Sequence, residues 1–135
     1  NFMPHRGLQL MMRDMNHLYK DEPALHEVDF DEAGFQWIDC NDAEQSVLSF
    51  KRKDKQGNAV IVVLNLTPVP RENYRLGVPQ AGLYKEIMNT DAEAYGGSNL
   101  GNSGSIEADN QAWMNQQHSI VITLPPLSCV MLKKI

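Results

Sequence analysis

The sequence predicts a mainly β protein, an antiparallel β-sandwich of about seven to eight strands preceded by one amphipathic α-helix. Three observations predict this fold class. Apolar residues near the start of the chain recur with helical spacing. After residue 30 the apolar period changes to two, which is typical of strands with one buried face. Short apolar segments then alternate with turn residues, and no strand–helix–strand unit is present, which favours a sandwich or barrel over a parallel sheet.

The first predicted element is a helix over residues 8–19. Its apolar side chains follow the i, i+3, i+4, i+7 spacing and are Leu8, Met11, Met12, Met15, Leu18 and Tyr19. Pro4 suits the first turn, and Pro23 ends the pattern because proline lacks the N–H that a helix interior needs. A helix of this length needs a surface for its apolar stripe, since isolated short helices are marginal in water.

The strands are predicted from segments in which apolar and polar residues alternate. Phe35 and Trp37 flank a polar residue, and Leu48 and Phe50 alternate with polar neighbours. The run AVIVVLNL, which begins at Ala59, is almost continuously apolar and indicates a strand covered on both faces. Further strands are predicted over 74–78, 83–88, 106–113, 119–124 and 128–134.

Glycine and proline mark the turns between these strands. DKQGN, with Gly57, predicts a hairpin. PQAG, with Pro79 and Gly82, predicts another turn, and the Pro125–Pro126 pair interrupts the last two strands.

Charge narrows the classes of partner. The formal net charge is −5 and the isoelectric point is about 5.3, which argues against nucleic acid, a partner that requires clustered cations. Neutral partners such as sugars stay open. The basic clusters at 51–53 and 133–134 are interpreted as solvated strand ends. No apolar run reaches the ~20 residues that a membrane span needs, and no signal peptide is visible, so a cytoplasmic location without membrane partners is expected.

Cys40 and Cys129 lie in or beside apolar runs, without the spacing of a metal site. Free thiols in a reduced compartment are expected, and a disulfide between them is the alternative. Neither a metal nor another cofactor is expected. The chain does not start with Met, and it opens on a helix without an obvious partner. Both features indicate a piece of a longer protein.

The segment 89–105, NTDAEAYGGSNLGNSGS, is rich in Gly, Asn and Ser. A phosphate cradle would need a following helix, and neither GxGxxG nor GxxxxGK[ST] is present. A long crossover loop, with Gly and Asn at positive φ, is the favoured interpretation. A binding rim is the alternative. In that case Tyr95 would stack on a sugar ring, and Trp113, which lies in a polar context, is the second candidate for a substrate-binding ring.

No catalytic group emerges from the motifs. Ser119 lacks a GxSxG frame and simply begins a strand. A glycosidase needs two carboxylates across a cleft, and spacing alone does not identify such a pair among 17 acidic residues. Trp37 is expected in the core or at a domain interface, as is usual for a strand tryptophan.

Four segments carry a more specific signal: RDMNHLYKDEPALHEVDFDEAGFQWID over 13–39, NLTPVPRENYRLGVPQAGLYKEIMNTD over 65–91, YGGSN over 95–99 and HSIVITLPPLSCVML over 118–132. Together they resemble the C-terminal end of bacterial 1,4-α-glucan branching enzymes of the α-amylase superfamily. The resemblance covers essentially the entire chain. Cys129 departs from it, at a place where a small or hydroxyl residue is expected.

The resemblance implies two parts, the last helix of a catalytic (β/α)8 barrel over 1–28 and an all-β sandwich over 29–135. It implies that the parent enzyme cleaves an α-1,4-glucan and transfers the segment to a 6-hydroxyl, with retention and through a covalent glycosyl-enzyme. The family's catalytic carboxylates belong to barrel loops upstream of residue 1, so no catalytic residue is expected here. The implied partners are the barrel and, through the parent enzyme, glycogen. The alternative is an independent glucan-binding sandwich.

Overall fold

The computed structural model describes residues 3–28, 34–42, 46–102 and 104–135. Over these residues, one α-helix, α1, is followed by eight strands. The elements are α1 (Met3–Asp21), β1 (Phe35–Asp42), β2 (Val47–Lys53), β3 (Ala59–Asn65), β4 (Arg71–Val78), β5 (Leu83–Asn89), β6 (Ser105–Glu107), β7 (His118–Leu124) and β8 (Ser128–Lys134). Short 3-10 turns lie at Pro23–Leu25 and Glu93–Tyr95.

The strands form two antiparallel sheets. The large sheet has six strands in the order β1-β2-β3-β8-β5-β6, and the small sheet pairs β4 with β7. The chain therefore leaves the large sheet after β3, returns to it with β5, and leaves it again for β7. This crossing of strands between two packed sheets is typical of a sandwich, so the predicted fold class is confirmed.

The main core lies between the two sheets. It contains residues of seven strands, and its members with no exposed surface are Val63, Leu76, Val78, Ile120, Leu124, Val130 and Leu132. Because side chains of a strand alternate between its faces, the residues between these point to the opposite sides of the sheets.

Strand β3 is buried on both faces, as its continuous apolar run predicts. Ile61 and Val63 point into the core between the sheets. Val60 and Val62 point to the outer face and form a second cluster with Ala24, which belongs to the 3-10 turn after α1. All four β3 side chains are at most 4% exposed. The large sheet is therefore a middle layer, with the small sheet on one side and the helical segment on the other.

The predicted β2–β3 hairpin is present. Lys53 pairs with Ala59, and Gly57 has a φ of 86°, a conformation that favours glycine. The Asp54 carboxylate accepts hydrogen bonds from the backbone N–H groups of Gln56 and Asn58, which closes the turn.

Two sequence-based expectations differ from the structure. The strand predicted over 106–113 is only three residues long, and isolated bridges at Asp109 and Trp113 replace its second half. Within the basic cluster at 51–53, Lys51 is 8% exposed instead of solvated, because the residue alternates onto the inner face of β2 together with Val47 and Ser49.

The segment 89–105 connects β5 to β6, which are antiparallel neighbours in the large sheet, so it is a long hairpin-type connection and not the predicted crossover. Its own polar side chains hold the loop. Asp91 accepts hydrogen bonds from the backbone N–H groups of Ser98 and Leu100. Asn102 bonds to both backbone groups of Thr123, at 2.8 and 2.7 Å, and so fixes the loop to β7. Asn99 and Gly96 have positive φ values of 63° and 86°. The long ordered loop with Gly and Asn at positive φ is confirmed, whereas its expected crossover is wrong because β5 and β6 pair with each other.

Replacing Leu132, which has no exposed surface in the core, by alanine should lower the free energy of unfolding by about 2–5 kcal/mol through lost burial and a residual cavity. Urea unfolding followed by fluorescence measures this loss. Leu83→Ala is the matched control on another strand, where the side chain is 44% exposed, and should cost less than about 1 kcal/mol. Similar losses in both variants would contradict the assignment of the core.

Candidate functional surface

Helix α1 packs on the outer face of the large sheet through one edge of its apolar stripe. Met15 and Leu18 line a cleft of about 240 Å³ whose floor includes Phe50, Val62 and Met131. None of these contacts buries the helix completely, because Met15 and Leu18 each stay partly exposed. The sheet therefore covers the helix only in part.

Polar contacts fix the end of α1 and the turn that follows. Glu22 is 6% exposed, and its carboxylate accepts a hydrogen bond from Lys133 Nζ at 2.7 Å. A lysine on β8 thus compensates the charge of a buried acid. The backbone N–H of Lys55 donates to Glu27 Oε1 at 2.9 Å, which ties the same segment to the β2–β3 hairpin.

The other edge of the stripe faces solvent. Leu8, Met12 and Tyr19 are 54%, 51% and 46% exposed. At 3.6 residues per turn these positions fall within about 40° of one another around the helix axis, so they form one continuous line. We call Leu8, Met12 and Tyr19 the apolar edge of α1. Tyr19 also lines the cleft with Met15 and Leu18, and its ring contacts that of His26 at a centroid distance of 5.6 Å. A row of three large exposed apolar side chains on one helix is typical of an interaction surface.

Tyr95, the first predicted stacking residue, lies against α1. Its hydroxyl donates a hydrogen bond to Asp14 Oδ2 at 2.7 Å. Gly7 permits this approach, because a Cβ atom there would collide with the backbone oxygen of Tyr95. Burial, and then the bond to Asp14, raises the pKa of Tyr95 to about 12. The same bond is the largest of the effects that lower the pKa of Asp14.

Trp113, the second predicted stacking residue, lies elsewhere. It is 44% exposed in a turn closed by backbone hydrogen bonds with Gln116, and its backbone oxygen lies against Gly77 of β4. The structure thus places Tyr95 on the helix and Trp113 beside the small sheet, in separate surroundings. A role for either ring in binding sugar stays a prediction.

A third aromatic group contains Trp37, which the sequence predicts either in the core or at a domain interface. Trp37 is 48% exposed, not in the core, and contacts Phe35 and Phe50 edge-on, with ring centroids 5.2 and 5.9 Å away. The alternation in β1 places Phe35 and Trp37 on one face, and Trp37 pairs directly with Phe50 across the β1–β2 ladder. The i, i+2 spacing of Phe35 and Trp37 is the feature of the sequence that could have indicated this pair of rings on one face of the strand.

Neither metal ligation nor membrane spanning is indicated for the part of the chain that the structure describes. No group of three or more His, Cys, Asp or Glu side chains there could hold a metal ion. No helix among those residues has the length and apolarity to cross a membrane. Cys129 is a free thiol, and burial raises its pKa to about 11; the side chain of Cys40 lies outside the described residues.

The sandwich and its preceding helix define a class of protein domain. Residues 37–135 match the family model of the alpha amylase C-terminal all-beta domain, and the chain belongs to this family. A solved structure, an alpha-amylase from H. orenii, has the same fold with a TM-score of 0.55 and 14% identity. The match covers 93% of this chain and 20% of that one.

Among proteins of this class, branching enzymes are similar to the chain over nearly its whole length. It is 54% identical over 129 residues to the 1,4-alpha-glucan branching enzyme GlgB of Nitrosomonas eutropha, which is 96% of this chain and 18% of that protein. It is also 54% identical over 130 residues to the GlgB of Aquifex aeolicus, 96% of this chain and 21% of that protein. The chain therefore matches the C-terminal domain of these enzymes and spans about a fifth of their length.

The variant Tyr95→Phe should lower the melting temperature at neutral pH, because it removes the bond to Asp14. A carboxyl with a lowered pKa contributes stability above its unfolded pKa and loses it as the pH falls. A phenol with a raised pKa contributes below its unfolded pKa and loses it as the pH rises towards about 12. The difference between wild type and variant should therefore be largest between about pH 5 and 9 and shrink on both sides.

Thermal melts across this pH range, followed by circular dichroism, test the prediction. Tyr84→Phe is the control, since the Tyr84 hydroxyl donates to the neutral backbone oxygen of Gln80 at 2.9 Å. The difference in melting temperature between Tyr84→Phe and wild type should stay the same as the pH falls. An identical acid profile for both variants would argue against the Tyr95–Asp14 bond.

Proposed function

We propose that this chain is the C-terminal part of a glycogen branching enzyme, a cytoplasmic enzyme that cleaves an α-1,4-glucan and transfers the segment to a 6-hydroxyl. In this proposal residues 1–28 supply the last helix of the catalytic (β/α)8 barrel, and residues 29–135 are the sandwich appended to it. The chain stabilises the parent fold and contributes no catalytic residue. Its similarity to GlgB proteins over 96% of its length supports the proposal.

The observation that carries the proposal is the apolar edge of α1. The sandwich covers Met15 and Leu18 but leaves Leu8, Met12 and Tyr19 about half exposed. A helix that buries one edge against its own sheet and presents the other to solvent is suited to lie between two domains. The occupant proposed for the exposed part of this edge is the rest of the barrel, since complete burial of a large apolar side chain stabilises by about 1.5–3 kcal/mol and these side chains are still about half exposed.

The chemistry proposed for the parent enzyme implies that the sandwich alone should be inactive. A retaining glycosyl transfer needs a nucleophilic carboxylate and an acid/base carboxyl about 5–5.5 Å apart across a substrate cleft. We assign both groups to the barrel. No cofactor is required in this scheme, because the two carboxylates supply the nucleophile and the proton.

A second candidate function is glucan binding by the sandwich itself. The half-exposed indole rings of Trp37 and Trp113 favour it, because an exposed aromatic face offers a stacking surface for a sugar ring. Tyr95 is a weaker candidate, since its ring is partly buried and its hydroxyl is engaged by Asp14. This function would be compatible with the first, as a scaffold that also holds the polymer.

Replacing the matching segment of the Aquifex aeolicus enzyme by this chain should yield an active branching enzyme, detected by loss of iodine staining of amylose. The isolated chain should leave the stain unchanged. In the chimera, Leu8→Asp combined with Met12→Asp should lower the melting temperature and the activity, because two charges would be buried at the domain contact.

The matched control is Leu83→Asp, at a side chain that is 44% exposed on β5 and remote from α1. It should leave the chimera nearly unchanged. In the isolated chain the double variant should melt at about the wild-type temperature, since Leu8 and Met12 face solvent there. Equal tolerance of all variants in the chimera would refute the docking role of the apolar edge.

Affinity electrophoresis tests the second candidate. Glycogen in the gel should retard the chain, and Trp37→Ala or Trp113→Ala should restore part of the free mobility, as expected for a stacking contact of about 1–2 kcal/mol. Tyr19→Ala, which removes another half-exposed ring on α1, serves as the control. Migration that is the same with and without glycogen would dismiss glucan binding by the sandwich.

A further inference from the structure

One end of the sandwich holds a cleft of about 460 Å³ that lies between the β2–β3 hairpin and the turn after β4. Its lining includes neither the apolar edge of α1 nor the rings of Trp37, Tyr95 and Trp113. The residues that line it are Lys51, Lys53, Gln56, Gly57, Asn58, Ala59, Ile61, Pro79, Gln80, Tyr84, Lys133, Lys134 and Ile135. Four of these side chains are lysines and none is acidic, although the chain as a whole has a net charge of −5.

Lys51 lies at the inner side of this cleft. It is opposite Ile61 in the β2–β3 ladder and points to the same side as the core residue Val47. Only 8% of the residue is exposed. Among the described residues, no carboxylate lies within ion-pair distance of its Nζ and no hydrogen-bond acceptor is assigned to it. The Lys51 side chain is therefore mostly covered and has no acidic partner in that part of the chain, while its ammonium group keeps some solvent contact through the cleft.

The other three lysines of the cleft differ in whether an acidic side chain already pairs with them. Lys133 is engaged by the Glu22 carboxylate on the other face of the large sheet. Lys53 and Lys134 have no acidic partner among the described residues, and the Lys134 side chain extends over Gly82 at the rim. Three ammonium groups of Lys51, Lys53 and Lys134 thus share the cleft.

A buried charge is costly unless an opposite charge or hydrogen bonds compensate it. Partial burial, followed by the nearby charge of Lys53, lowers the pKa of Lys51. A lysine with a covered stem and an ammonium group that reaches water is common, so the distinctive feature of this cleft is that Lys53 and Lys134 line it as well, without an acidic side chain. An anion bound in the cleft would compensate all three cations at once.

We propose that this cleft binds the phosphate group of a small phosphate ester. A phosphate dianion matches several lysines better than a single carboxylate does, and the side-chain amides of Gln56 and Gln80 could bind hydroxyl groups of the ester. The volume is in the range of small-molecule sites, about 300–1,000 Å³. Nucleic acid is disfavoured, because a long phosphate backbone would meet the net negative charge of the remaining surface.

Binding can be measured by titrating the 135-residue chain with glucose 6-phosphate, inorganic phosphate and glucose, with NMR detection at low ionic strength. Glucose 6-phosphate should bind most tightly and glucose should not bind at this site. Lys51→Met keeps the apolar stem and removes the charge, so it should weaken phosphate binding about ten-fold or more. Its melting temperature should be close to or above that of wild type, since the variant keeps the covered stem and removes a partly desolvated charge that has no acidic partner among the described residues.

Lys55→Met is the matched control, because Lys55 carries the same charge in the adjacent turn but does not line the cleft. It should change the affinity less than about two-fold. If Lys51→Met does not fold, Lys134→Met at the exposed rim replaces it and should weaken binding several-fold. Equal effects of the cleft and control variants, or no binding of either phosphate up to about 10 mM, would overturn the site. Equal affinity for both phosphates would assign free phosphate and overturn the ester.

Discussion

Strand β3 must be covered on both faces, because Ile61 and Val63 point to one side of the large sheet while Val60 and Val62 point to the other. One cover is the small sheet. The other is the helical segment before the sandwich, through Ala24 and the side chains that α1 lays over Phe50 and Val62. This double requirement explains why a helix accompanies an otherwise all-β domain, and why the apolar content of β3 exceeds that of the strands around it.

Buried polar side chains hold the connections of the sandwich where strands cross between sheets. Asn65, 1% exposed at the end of β3, donates to the backbone oxygens of Val69 and Pro125 at 2.9 Å, and its own oxygen accepts from Thr67. One side chain thus satisfies backbone groups of two connections that are distant in the sequence. Asn102 acts similarly between the long loop and β7. Such fully bonded amides compensate the cost of burying polar groups and fix the crossovers.

The same geometry determines which surfaces are available for function. A sheet can cover only one edge of a helix that lies across it, so the stripe of α1 is divided into a packed edge and a free edge. The small sheet has two strands against six, so it cannot cover the whole inner face of its partner. Lys51 lies near one end of the sandwich, where the β2–β3 hairpin and the turn after β4 border the cleft.

The sequence alone determined the elements. Helical spacing over 8–19, the apolar run from Ala59 and the turn at Gly57 are local signals, since period and positive φ depend on near neighbours. The short β6 could not be foreseen, because its pairing depends on where Asp109 meets β7. Only the tertiary structure decided that Trp37 is half exposed and that Lys51 is buried. The physical reason is that a pattern shows which face a side chain points to, whereas exposure depends on which distant segment packs against that face.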